Sequence, residues 1–185
     1  MKKYKLTTDT KMWLGRKLFR IQALIDFGDV KKGDLGGYVE KEYNLSHDDN
    51  AWVYGDALIY GGARIYGDAL IYGGARIYGD AQVCGDAQVC GNTRIYGNAL
   101  IYGDARICGN ADYLCFKGLG SCNRNTTFYK TKDNSISVVC GCFNGTLDEF
   151  AAKVRDTHGD SKYAKEYLAA IEVVKIHFDL GDHNE

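Results

Sequence analysis

From Gly55 the chain repeats itself every six residues, as GDALIY GGARIY GDALIY GGARIY GDAQVC GDAQVC GNTRIY GNALIY GDARIC, followed by a degenerate GNADYL that ends at Leu114. Asp49 to Tyr54 (DNAWVY) is an earlier copy, so the pattern runs from about residue 49 to 114. A glycine in every unit and a period of six suit no α-helix, whose faces recur every 3.6 residues. In each unit Ala, or Thr93, lies two places before Ile or Val, so both point to the same side of a strand. Small and aliphatic side chains therefore go inside, and the residues between and after them face outward. The Gly-Asp, Gly-Asn and Gly-Gly pairs supply the positive φ of tight corners. Short strands alternating with sharp bends make a solenoid, in which each unit contacts only its neighbours.

An aliphatic residue and a small one four places on recur as Ile59 with Ala63, Ile65 with Ala69 and Ile71 with Ala75. In this the chain resembles the hexapeptide-repeat family of left-handed parallel β-helices. The resemblance implies a triangular coil of three units, with residues eighteen apart stacked. Ile59, Ile77 and Ile95 would then form one interior column, and Ile65, Val83 and Ile101 another. The flanks, Arg16 to Ala57 and the tail containing TTFYKTKDNSISVVCGCFNGTLDEFAAKV and HGDSKYAKEYLAAIE, resemble those of phage- and prophage-encoded hexapeptide proteins.

Outside the repeat, Phe19, Ile21, Ala23 and Ile25 alternate along Leu18 to Ile25, which suggests a strand covering the N-terminal end of the coil. Val39 and Leu45 keep the six-residue spacing, but Leu45 to Val53 is eight, so two residues bulge near His47 to Asn50. After Leu114, Thr126 to Lys130 and Ile136 to Cys140 read as a hairpin. Thr146 and Glu149 have capping-box spacing ahead of a helix with Leu147, Phe150 and Val154 on one stripe. A second helix, about Ser161 to Phe178, carries Tyr163, Tyr167, Ile171, Val174 and Phe178. The expected architecture is an all-β left-handed parallel β-helix with a small C-terminal α+β module of a hairpin and two helices. Its expected segments are a cap over 1–32, the coil over 33–114 and the module over 115–185.

Lys plus Arg number 23 against 24 Asp plus Glu, a net charge of -1, so no positive field recruits nucleic acid or an anionic membrane. No apolar run is long enough to span a bilayer, and the residues after Met1-Lys2-Lys3 are polar, which points to a soluble cytoplasmic protein. Seven cysteines fit reduced thiols better than a disulfide framework. Cys90 and Cys108 should stack one coil apart and are expected reduced. The spacings of Cys115, Cys122, Cys140 and Cys142 are not those of a zinc site, nor are those of His158, His177 and His183. Asp68, Asp86 and Asp104 would align on one corner and are read as solvated. No metal, cofactor or catalytic residue is expected.

Enzymes of the resembling family work with a histidine base between coils. His47, in the bulge, is the one histidine near the coil, which leaves an acyltransferase-like enzyme as the alternative reading. The preferred one is a non-catalytic scaffold. If the phage-like resemblance holds, its partner would be a bacterial host protein or a nucleotide signal, as in counter-defence. The binding bet is the column Arg76, Tyr78, Arg94 and Tyr96, a grid of guanidinium groups and phenol rings. A homo-oligomer, trimer or dimer, is expected, with Trp52, Tyr54, Leu70 and Tyr72 as its seam.

Overall fold

The computed structural model describes residues 1–181, so His183 lies outside the described residues. It divides into two compact units, Met1–Asn110 and a second that begins at Ala111. The first opens with β1 (Tyr4–Trp13) and β2 (Arg16–Ala23), an antiparallel hairpin, and β3 (Leu35–Val39) pairs antiparallel with β2. Two-residue strands follow: β4 (Trp52–Val53), β5 (Leu58–Ile59), β6 (Arg64–Ile65), β7 (Leu70–Ile71), β8 (Arg76–Ile77), β9 (Gln82–Val83), β10 (Gln88–Val89), β11 (Arg94–Ile95), β12 (Leu100–Ile101) and β13 (Arg106–Ile107).

They form a parallel β-solenoid with three faces. The first face continues the hairpin sheet in the order β1-β2-β3-β5-β8-β11, the second is β13-β10-β7-β4 and the third β12-β9-β6. Ile59 pairs with Ile77 and Ile77 with Ile95, while Ile65 pairs with Val83 and Val83 with Ile101. All six are at most 1% exposed, so both columns are the core. The two-residue bulge also shows in the register. Tyr38 pairs with Leu58 and Leu45 bridges to Ile65, twenty residues on, whereas Trp52 pairs with Leu70, eighteen on.

The N-terminal hairpin departs from simple alternation. A register shift between Arg20 and Gln22 breaks the pattern of β2, so Leu18, Ile21 and Ala23 are buried while Phe19 and Ile25 are only half-buried. The last degenerate repeat is not a rung of the coil. Its aliphatic slot holds Tyr113, too bulky for the interior column, and Tyr113 instead starts a strand of the second unit.

That unit is a four-stranded antiparallel sheet of β14 (Tyr113–Leu119), β15 (Arg124–Lys130), β16 (Ile136–Cys140) and β17 (Phe143–Thr146), then α1 (Leu147–His158) and α2 (Lys162–His177). Thr146 caps α1 and the Glu149 carboxylate accepts the Thr146 N–H at 2.8 Å, completing the capping box. Phe128, Val138, Phe150, Val154, Tyr167 and Ile171 share one core. Tyr163, expected on the buried stripe, is half-buried, and Ala164 and Ala170 take the close positions instead. No helix among the described residues is long and apolar enough to cross a membrane.

The corner glycines set how closely coils stack. A Cβ on Gly85, at φ +70, would lie 2.7 Å from the Gly103 backbone nitrogen, whereas one on Gly97, at φ +69, meets nothing within 4 Å. Both alanine variants carry the left-handed strain, ~1 kcal/mol, but only Gly85→Ala must also push a coil apart. We expect Gly85→Ala to lower stability by at least ~1 kcal/mol more than Gly97→Ala in urea titrations; equal losses would show that coil spacing is not set at these corners.

Candidate functional site

On the first face the outward column begins beneath the hairpin. Leu18, Tyr38, Leu58 and Tyr60 form a buried cluster against which Trp13 and Tyr78 pack. Beyond it the column emerges as Arg76, Tyr78, Arg94 and Tyr96, the residues the repeat pointed to. The register sets Arg76 directly opposite Arg94. The rings of Tyr60 and Tyr78 stack with centroids 5.0 Å apart, and those of Tyr78 and Tyr96 at 5.4 Å. Tyr96 is the exposed end of this ladder, at 55%.

Trp13 was not visible as a site residue, because β1 has no repeat to place it. The hairpin register brings its indole over Arg76, 4.2 Å from the guanidinium carbon to the ring centroid. Trp13, Leu14, Arg16, Tyr60, Arg76, Tyr78 and Arg94 enclose a cleft of about 510 Å³, with no carboxylate in its lining. Arg16 forks onto Glu40 at 2.9 and 3.0 Å. The Trp13 indole N–H is buried without a hydrogen-bond partner among the described residues. Leu14, in the two-residue hairpin turn, takes φ 48 and is 77% exposed beside Met12 at 66%. A bulky residue held in the left-handed region, and in water, is a strained choice for a turn that Asn or Asp would fill more easily.

The second face corrects the expected seam. Trp52 is 1% exposed, covered by the Phe27 ring at 5.3 Å and the Tyr4 ring at 6.2 Å, so it offers no surface to another copy. Tyr54, Leu70 and Tyr72 are half-buried, with the two rings stacked at 4.8 Å. Farther along this face Cys90 and Cys108 are joined in a disulfide, where reduced thiols were expected. In-register neighbours bring their Cα atoms to 4.5 Å, within bonding reach.

His47 lies beside a groove of about 820 Å³ that also meets Glu42, Arg64 and Tyr66. Its ring is fully committed. Nδ1 accepts the Lys3 backbone N–H at 3.2 Å, Nε2 lies 3.1 Å from Glu42 Oε1, and Tyr4 stacks on it at 4.3 Å. A general base needs a ring nitrogen open to substrate, and neither is. The neighbouring Lys3 ammonium is buried and donates to the carbonyls of Asp48, Asp49 and Ala51 at 3.2, 3.1 and 2.9 Å. Burial brings it down to about 8, opposed by Asp49, Asp48 and Asp68. Asp68 accepts the Asn50 side-chain amide at 2.8 Å. Bulge, histidine and lysine are thus one clasp that holds the N-terminus to the first coil.

The solenoid is similar to the YdcK beta solenoid repeat, which matches residues 63–79, 87–103 and 93–109 and leaves both flanks uncovered. No curated protein matches the chain.

The tyrosine columns make the molecule sensitive to alkali. Burial holds the phenols of Tyr4, Tyr54, Tyr66, Tyr72 and Tyr78 above their ordinary value of 10.0. Below that pH both folded and unfolded chains keep these protons. Above it the unfolded chain loses them first, so stability is full below pH ~10 and falls as pH rises further. We expect the urea midpoint to drop steadily between pH ~10 and 11.5. A midpoint flat across that range would show that burial does not hold these phenols protonated.

Proposed function

We propose that this protein is a non-catalytic binding scaffold that captures a planar anion of the nucleotide class in the cleft beneath the hairpin tip. The observation that carries the reading is the pairing of Arg76 with Arg94 under Trp13. Two guanidinium groups set opposite each other by the strand register can both donate forked hydrogen bonds to the oxygens of one bound anion. Trp13 and the tyrosine ladder supply ring faces for a base, and a volume of about 510 Å³ suits a small organic ligand.

The proposal extends to origin and setting. The flanking segments support a phage-encoded member of the hexapeptide type, working in the cytoplasm of a bacterial host, where sequestering a nucleotide signal is a counter-defence. The acyltransferase alternative loses support from the committed ring of His47.

Isothermal titration with ATP and with cyclic di-AMP tests the cleft. We expect micromolar binding by one of them, reduced at least ~100-fold in an Arg76→Glu, Arg94→Glu double variant whose circular dichroism is unchanged. Flat titrations with both, or equal affinity in the double variant, would overturn the site.

Self-association belongs to the same proposal, through the remaining half-buried patch of Tyr54, Leu70 and Tyr72. Light scattering at micromolar concentration should give a dimer or trimer that Leu70→Asp converts to monomer; a monomeric parent protein would refute the seam.

A further inference from the structure

In the second unit the turn between β16 and β17 is Gly141-Cys142, and the guanidinium of Arg124 lies on it. Gly141 has φ +61, and a Cβ there would meet Arg124 Nη1, so glycine leaves the guanidinium its present place against the turn. Cys122, Arg124 and Cys142 line one cavity, and the neighbouring sulfurs, Cys122 first, hold the guanidinium above its ordinary value. Both cysteines are free and exposed. No carboxylate pairs with Arg124 among the described residues. Beside them opens a cavity of about 320 Å³, with Phe143, Phe150 and Tyr167 as its apolar wall and Lys153 and His158 on its lining.

A third thiol, Cys140, is buried, receives the Thr126 hydroxyl at 3.2 Å and approaches the Tyr167 hydroxyl at 3.7 Å. It is a structural neighbour and not a reactive one. Cys115 is a useful contrast. Its residue is exposed too, but it does not line this cavity with Arg124, and the Thr127 hydroxyl lies 3.6 Å from its sulfur. Two accessible thiols, a guanidinium and a second cation around one apolar cavity form a setting in which a cysteine can react with an anionic partner.

We infer that Cys122 is a site of reversible thiolation by a low-molecular-weight disulfide that carries carboxylates, with Arg124 and Lys153 holding those carboxylates. The Cys122 thiolate attacks one sulfur of the incoming disulfide, forming a new S–S bond as the old one breaks. The other half leaves as a thiolate with the bonding electron pair and takes up the proton that Cys122 released. No further oxidant is needed. A reduced thiol pool reverses the step by the same exchange.

The probe is oxidised glutathione, with cystamine, a cationic disulfide, as its counterpart. Intact mass and peptide mapping of the whole protein should show one glutathionyl group on Cys122, absent in Cys122→Ser and retained in Cys142→Ser. The rate with oxidised glutathione should exceed that with cystamine about tenfold, and Arg124→Gln, with an unchanged melting temperature, should erase this preference. The charge preference is the reading that a merely structural arginine would not move. Labelling of Cys115 at the same rate, an adduct on Cys142 alone, an internal disulfide in place of the adduct, or a preference that survives Arg124→Gln would each overturn the assignment.

Discussion

Stacking of each coil on the next in strict register is the constraint from which the first unit follows. Parallel strands sit about 4.8 Å apart, and at the corners glycine stacks on glycine, as Gly67 on Gly85 and Gly85 on Gly103, with no room for a Cβ between. Any residue chosen at one position therefore meets its counterpart eighteen residues away. Inside, this gives columns of Ile, Val and Ala that bury completely. Outside, it turns one tyrosine into a stack and one arginine into a pair of like charges. The cleft that we assign to a ligand is thus a by-product of the repeat, made specific by the one element that does not repeat, the N-terminal hairpin.

That hairpin solves two problems that a solenoid leaves open. The first strand of a coil has an unpaired edge, and β2 covers it by pairing antiparallel with β3. The bulge between Leu45 and Trp52 turns backbone carbonyls inward, and the Lys3 ammonium satisfies three of them while the Phe27 ring covers it at 4.8 Å. A buried cation with three acceptors and a ring face is well held, although it has lost most of its water. The geometry favours the ammonium despite the burial that lowers it, because three acceptors match its three N–H donors and a neutral amine would leave one of them unsatisfied.

The sequence shows clearly whatever the period controls. Corner glycines and the two-residue bulge follow from spacing, as do the capping box at Thr146 and the two helices, while the interior columns and the three faces are what the hexapeptide resemblance implied. What escapes is whatever depends on residues outside the period. Trp52 sits at an outward position by pattern, and its burial comes from Phe27 and Tyr4, which no spacing rule brings near it. Trp13 reaches Arg76 through a hairpin whose register includes a bulge between Leu6 and Thr10. The strands β14 and β17 were missed because Tyr113 to Leu119 looked like the fading end of the repeat and Phe143 to Thr146 is short. The grid of Arg76, Tyr78, Arg94 and Tyr96 was legible as a grid, but its enclosure as a cleft was not.

The same separation bears on the choice between a binding and a catalytic coil. His47 lies in the bulge, where an insertion projects a side chain from an otherwise uniform wall, and that placement alone made it a candidate base. Yet its Nδ1 and Nε2 contacts, to the Lys3 backbone and Glu42, belong to the fastening of the N-terminus. Glu42 also takes the Lys2 ammonium, so freeing the imidazole for substrate would disturb the contacts that secure Lys2, Lys3 and Tyr4. Chemistry at this position would have to loosen the first coil at each turnover. Arg76 and Arg94 lie on the coil wall, apart from that fastening. The fold thus places His47 in the fastening of the N-terminus and the arginines on the wall of a separate cleft, which is why the proposed ligand is sought at the arginines.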